Sequence, residues 1–321
     1  MRRSPPPGSS REVRSRAGGR LPFPFPAEAD PAAIEAHFAL EQELARQLLE
    51  SRPEERSRLF RQAYETLFRS VPAHPQLGDA AAEPNRAKLA YLVACLPRQG
   101  AFAELGCGDG RFLLALARPG RPGIGLDVAG PLLALAARAR TGGHAFFVQA
   151  DILAPPLCEG GLAAIISSQL IEHIHPDDVP RHLRQVFELL RPGGILLLDT
   201  PNRVSGPHDV SQYFAPKACG FHLREYTIRD LTRLLRSAGF RSIRSPLLPP
   251  RLAGYRAALV RAGLAPARLK IPAESLLERV SDPQRARRWA RRLLLGNIYL
   301  VARRPGARRG GRGRNVSSMA R

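Results

Sequence analysis

Between residues 100 and 250 short apolar runs alternate with amphipathic helical stretches, and this rhythm limits the possible folds more than any other feature. "AFAEL", "PGIGLD", "AFFVQAD", "GLAAIISS" and "ILLLDT" read as five strands. "RFLLALA", "PLLALAARAR" and "DDVPRHLRQVFELL" read as helices between them, the last stopped by Arg191-Pro192-Gly193-Gly194. "TIRDLTRLLRSAGF" opens on a Thr cap and ends at Gly239, and "FRSIRSPLL" and "NIYLVAR" add a sixth and a seventh strand. Alternation of this kind predicts an α/β protein with a doubly wound, seven-stranded, mostly parallel sheet.

The flanks read differently. Asp30-Pro31 supplies an N-cap with Pro at the first helical position, and Ile34, Phe38, Leu44 and Leu48, then Phe60, Tyr64 and Leu67, fall at helical spacing. Two helices broken near Arg52-Pro53 and a third from Arg86 to Leu96 form an N-terminal helical cap over 30–97. The sheet domain spans 98–304, with a basic helical insertion at 250–296. Residues 1–29 and 305–321 read as disordered basic tails.

Of the net charge of +21, residues 1–20 carry +5, 250–301 carry +8 and 302–321 carry +7, so the basic charge is peripheral. It admits nucleic acid, anionic lipid or an acidic partner, or simply solvated tails. Aromatics at 6% disfavour stacking platforms for bases, so nucleic acid is possible but not favoured. Around Trp289 and Leu293, the arginines 287, 288, 291 and 292 leave peripheral membrane contact possible, although a helix packing its apolar stripe on the core explains the same pattern. No apolar run is long enough for a transmembrane segment, and four scattered cysteines suggest a reduced, cytoplasmic protein.

"AELGCGDGR" places Gly106, Gly108 and Gly110 directly after the first strand and at the start of a helix. A second strand ends in Asp127, where a carboxylate could accept both hydroxyls of a ribose. A dinucleotide would call for G-x-G-x-x-G, but the spacing here is G-x-G-x-G and Glu104 stands two residues before it. An acid beside the loop favours a cationic ligand.

With "ELGCGDG", Asp127, "QADI" and "LRPGGILLLDTPN" in this order, the chain resembles the class I S-adenosylmethionine-dependent methyltransferases over about residues 85–245 and the last strand. The resemblance implies a Rossmann-like fold. It also implies that Glu104 and the loop of Gly106, Cys107 and Gly108 hold the methionine part of S-adenosyl-L-methionine, that Asp127 holds its ribose, and that Asp151 with Ile152 bounds its adenine. Many relatives begin the fourth strand with Phe-Asp, where this chain has Leu162-Ala163.

The acceptor side is expected after that strand, in "SSQLIEHIHPDD". If a helix starts near Gln169, then Gln169, Glu172 and His173 share one face, and His222 in "GFHLREYTIRDL" lies in the same layer. Gln169 thereby also joins the expected cofactor-binding residues. The segment resembles ubiquinone-pathway O-methyltransferases and small-RNA 2′-O-methyltransferases. In the latter, E-x-x-E-H and a later His form a divalent-metal site, and Gln169 replaces the first Glu. With one carboxylate, Glu172, His173 and His222 would hold Mg²⁺ weakly and favour Mn²⁺, Fe²⁺ or Zn²⁺. Metal-free catalysis, with His173 or His222 as general base oriented by Glu172 or Glu225, is the alternative, and helix capping a third. His208 is a second-rank base, His175 a helix cap and His182 a surface residue. The reaction implied is O-methylation of a hydroxyl on a small molecule, lipid or glycan precursor. RNA 2′-O-methylation and a non-catalytic binding module are its rivals.

Overall fold

A computed structural model describes residues 30–71, 84–247 and 256–306. The tail expected at 1–29, and all but the first two residues of the one expected at 305–321, lie outside the described residues. Helices α1 (Pro31–Leu49) and α2 (Pro53–Ser70) form an antiparallel hairpin. Asp30 caps α1 by accepting the Ala32 N–H at 3.0 Å. Leu44 and Leu48 meet Ala63 and Leu67 across the hairpin, and Phe221, distant in sequence, completes that cluster.

The sheet is assembled from β1 (Phe102–Leu105), β2 (Gly123–Asp127), β3 (Ala145–Gln149), β4 (Leu162–Ser168), β5 (Leu190–Pro201), β6 (Arg241–Pro246), β7 (Leu264–Pro266) and β8 (Asn297–Arg303), in the order β3-β2-β1-β4-β5-β8-β6-β7. The first five strands are parallel; β8 runs antiparallel between β5 and β6. The seven-stranded expectation is therefore corrected to eight. The extra strand lies inside the insertion read as helical, where three residues, Leu264 to Pro266, pair with the β6 edge. Three residues are too few to show a period of two, so the sequence carried no strand signal there.

Side chains alternate across the sheet and build a core on each face. In β5, Leu196 and Leu198 join the cluster under α6 (Val179–Leu189) and α7 (Ile228–Ser237), whereas Ile195 and Leu197 join the one under α3 (Arg86–Cys95) and α4 (Arg111–Leu116); α5 (Gly130–Ala139) packs on β2 and β3. Val179, Leu183 and Val186 form the inward stripe of α6, and truncating Leu183 to Ala would cost about 2–5 kcal/mol. His182 lies on the same inward side and is 1% exposed, which corrects its reading as a surface residue. Thr227 and Asp230 form a capping box that starts α7. The insertion contributes α8 (Ala257–Ala262), α9 (Ile271–Leu277) and α10 (Pro283–Arg292). In α10 the buried residues are Ala286 and Ala290, while Trp289 is exposed. No helix among the described residues is long and apolar enough to cross a membrane.

Because β1 is flanked by β2 on one side and β4 on the other, the winding reverses there, and the carboxyl ends of β1 and β4 diverge. Such a switch point is where open α/β sheets bind ligands.

Candidate functional site

A cavity opens at this switch point, the usual place for a small-molecule site in such a sheet. Gly106, Gly108, Asp127, Asp151, Ile152 and Gln169 line one side, and Ser57, Phe60 and Tyr64 of α2 line another. The glycine loop takes a path that other residues resist. Gly106, Gly108 and Gly110 have φ of 69°, 53° and 72°, and a Cβ on Gly106 would meet Leu170 at 2.9 Å. Asp127 stitches the loop to the end of β2, accepting the Gly108 N–H at 2.7 Å and the Ala129 N–H at 2.8 Å. Asp151 similarly accepts the Leu153 N–H at 2.8 Å. Beneath that turn, burial pushes the His182 pKa down to about 4, so it is a neutral ring bonded to the Ile152 backbone.

Glu104 and Cys107 do not line the cavity; they lie in and behind the loop. The Cys107 side chain packs on Gly125, and burial raises its thiol pKa. Glu104 is 2% exposed, and its Oε2 has no hydrogen-bond partner among the described residues. Burial pushes its pKa up to about 8, against the pull of the nearby Lys88 cation. An orphaned buried carboxyl beside a glycine cradle fits a cationic ligand group.

The acceptor end differs from its sequence expectation in one respect. No helix starts at Gln169. Its φ is 49°, its N–H donates to the Asp199 carbonyl at 2.8 Å, and its side-chain amide donates to the Asp199 carboxylate at 2.9 Å. Gln169 therefore faces the cavity and Asp199 rather than sharing a helical face with Glu172 and His173. Those two sit in the following turn and meet His222, with one candidate ligand atom of each within 4.8 Å of the others.

Each member of this trio is held from behind. Glu172 is 0% exposed; its Oε2 accepts from the Thr200 hydroxyl at 2.9 Å, and its Oε1 has no hydrogen-bond partner among the described residues. Burial raises its pKa to about 7, with His222 pulling the other way. His173 Nδ1 lies 2.9 Å from the Phe221 carbonyl, which only accepts, so Nδ1 carries the proton and Nε2 the lone pair. His222 Nδ1 donates to Glu225 at 2.9 Å. Burial disfavours its charge, but that hydrogen bond and the Glu172 and Asp209 carboxylates outweigh burial and raise its pKa to about 9. The two rings meet edge to face, with centroids 4.9 Å apart.

His208 is not at the cavity. Its Nε2 is engaged by the Ser205 hydroxyl at 2.9 Å, and its backbone N–H donates to Glu225, so it buttresses the partner of His222. His175 accepts the Asp177 N–H, capping the turn before α6, and its other nitrogen reaches the Leu49 carbonyl at the end of α1. Arg56 of α2 pairs with Asp178 at 3.0 Å, and Glu41 of α1 accepts the Phe221 N–H at 3.0 Å. The hairpin is thereby pinned over both the cavity and the trio. The covering role of Phe60 and Tyr64 had no signal in the sequence beyond helical spacing, which an ordinary core stripe would also show.

A family model described as a methyltransferase domain matches residues 78–245, just over half of the chain. The chain belongs to that family. That family is the class I S-adenosylmethionine-dependent methyltransferases. A probable S-adenosylmethionine-dependent methyltransferase of Mycolicibacterium smegmatis is 34% identical over 142 residues, 43% of this chain and 50% of the relative. The malonyl-[acyl-carrier protein] O-methyltransferase of Pectobacterium atrosepticum is 27% identical over 124 residues, 38% of this chain and 47% of the relative. This methyltransferase thus matches about half the length of each of these relatives. A solved S-adenosylmethionine-dependent methyltransferase from Mesorhizobium loti is similar at a TM-score of 0.46 and 19% identity, covering 71% of this chain and 100% of that one.

Proposed function

We propose that this methyltransferase acts on a hydroxyl oxygen of a small molecule, lipid or glycan precursor, with Glu172, His173 and His222 at the acceptor end of the cavity. The observation that carries this reading is the trio itself. A hydroxyl becomes a good nucleophile when its proton is removed, and a cluster of one carboxylate and two imidazoles beside the cavity suits that task. The Pectobacterium relative is also named an O-methyltransferase, although a malonyl group offers a carboxyl oxygen rather than a hydroxyl.

S-adenosylmethionine, when bound, supplies a methyl group activated by the sulfonium. The residues that would hold it are Glu104 and the glycine loop for the methionine part, Asp127 for the ribose, Asp151 and Ile152 around the adenine, and Gln169 beside them. The unpartnered Glu104 carboxyl suits its ammonium. His173 lines the cavity and presents Nε2, so it is the proton acceptor in this reading. Phe221 fixes its tautomer, and Glu172 stabilises the imidazolium that forms. His222, already charged near neutral pH through Glu225, offsets the buried charge of Glu172. The same three ligand atoms also suit a divalent ion of the Mn²⁺, Fe²⁺ or Zn²⁺ type. Both imidazoles donate Nδ1–H to fixed acceptors, as metal-bound histidines do.

Incubating the purified chain with methyl-labelled cofactor and cell extract tests the reading, with and without a chelator. Label in a base-stable ether is the expected product. Label confined to nitrogen, sulfur or a base-labile ester would refute the hydroxyl assignment. Loss with chelator and recovery with Mn²⁺ would identify the ion as part of the site.

A further inference from the structure

A second concavity lies at the amino ends of the parallel strands, far from the cofactor cavity. Its floor is apolar, formed by Leu96, Ala163, Ile195 and Val301, and its rim carries Arg98, Arg191, Arg244, Arg261 and Arg303. The five cations come from five separate places: the chain after α3, the start of β5, β6, the end of α8 and β8. Only the fold brings them together. Across the sheet, Arg244 pairs in register with Val301, and Arg241 with Arg303. Ala163 and Ser168 stand at opposite ends of β4, so the groove and the cofactor cavity are separated by roughly 16 Å of strand.

Among the described residues no Asp or Glu lines this groove, and none of the five arginines forms an ion pair. Elsewhere Arg56, Arg111 and Arg203 each have a carboxylate partner. Two of the five are held from behind by backbone carbonyls: Arg261 Nε donates to Ala94 at 2.7 Å and Arg303 Nη1 to Gly193 at 2.7 Å. Such tethers orient a guanidinium while leaving its other N–H groups for a ligand. Convergent cations without counter-charges repel one another, and a polyanion relieves that repulsion. Planar guanidinium forks match phosphate oxygens in pairs. Among the described residues no aromatic ring lines the groove, so they offer nothing for nucleic-acid bases to stack on.

We propose that this groove is a binding site for a phosphate-bearing ligand, either a soluble phosphorylated compound or a phospholipid headgroup. It is separate from the methyl-transfer site and does not depend on which acceptor that site takes.

The test compares the full chain with its Arg98→Ala/Arg244→Ala double variant. Neither side chain belongs to the cofactor or acceptor machinery. Pyrophosphate is titrated by calorimetry at low ionic strength, and sedimentation with phosphatidylglycerol vesicles is measured against phosphatidylcholine vesicles. S-adenosylhomocysteine affinity and the melting temperature serve as controls for folding. The expected result is pyrophosphate or anionic-vesicle binding that weakens at least tenfold in the variant, with S-adenosylhomocysteine affinity unchanged. A loss seen with pyrophosphate alone identifies a soluble ligand, and a loss with vesicles identifies a headgroup. If the wild-type chain binds neither probe, or the variant binds both as well as wild type, the proposal is overturned. In the latter case the basic termini, which the variant keeps, account for the binding. Should the double variant melt early, Arg191→Gln alone carries the same comparison.

Discussion

Replacing Glu104 by Gln should make the cofactor-free enzyme more stable near neutral pH and a poorer binder of its cofactor. Glu104 is buried, its Oε2 lacks a partner, and its pKa stands near 8 against an ordinary 4.5. Below pH 4.5 both folded and unfolded chains hold the proton and there is no penalty. Above it the unfolded chain ionises while the folded one does not, so folding loses stability until the pH passes about 8. At about 1.4 kcal/mol per pH unit, the penalty at pH 7 is on the order of 3 kcal/mol. Gln has no proton to lose and escapes it, although its buried amide N–H groups cost about 1–2 kcal/mol at every pH. The stability of the variant relative to wild type should therefore climb by roughly 3 kcal/mol between pH 5 and pH 7. Urea unfolding of both proteins across this range, without cofactor, measures it. S-adenosylmethionine, whose ammonium would take up the Glu104 charge, should bind the variant at least tenfold more weakly. A stability difference that stays flat from pH 5 to pH 8 would show that Glu104 ionises freely and that the reasoning about its burial is wrong.

Three further outcomes follow from the site. Asp127→Ala frees two backbone N–H groups of the glycine loop, and S-adenosylhomocysteine affinity by calorimetry should fall on the order of 10- to 100-fold, about 1.4–2.7 kcal/mol. Glu172→Gln should reduce product formation by at least 100-fold while leaving S-adenosylhomocysteine affinity within about threefold, because its proposed role is on the acceptor side; equal losses in both would relocate it. Gly106→Ala meets both a left-handed backbone and the Leu170 side chain, and should lose about 1–3 kcal/mol in denaturant unfolding.

Much of the fold was legible because its signals are local. The strands of the parallel half announce themselves as short apolar runs, and Thr227 and Asp30 mark helix starts by their own hydrogen bonds. The glycine loop was legible for a related reason, since three left-handed positions require glycine whatever surrounds them. What sequence could not supply was direction. Gln169, Glu172 and His173 have helical spacing, but Asp199 from the neighbouring strand turns Gln169 away, and that partner is thirty residues distant. The sequence ranks His222 above His208, and in the fold Glu225 separates them, accepting from the ring of His222 and the backbone N–H of His208. His182 was misplaced because a polar residue on a helix does not say which side faces the core. The charge of the insertion was visible, yet the gathering of five arginines from distant segments appears only once the strands are paired.

The position of β8 has a consequence for how the chain acquires its structure. The last strand in sequence is not the last in space; it fills the slot between β5 and β6. Until residues 297–303 have been synthesised, β5 presents an open edge along most of its length, and β6 with β7 has nothing to join. Three of the eight strands must therefore wait for the end of the domain, with a sticky edge exposed meanwhile. Pairing across about a hundred residues of intervening chain makes this closure slow relative to the local winding of β1 to β3. A chain stopped short of Asn297 would keep its cofactor loop intact and still be prone to aggregate.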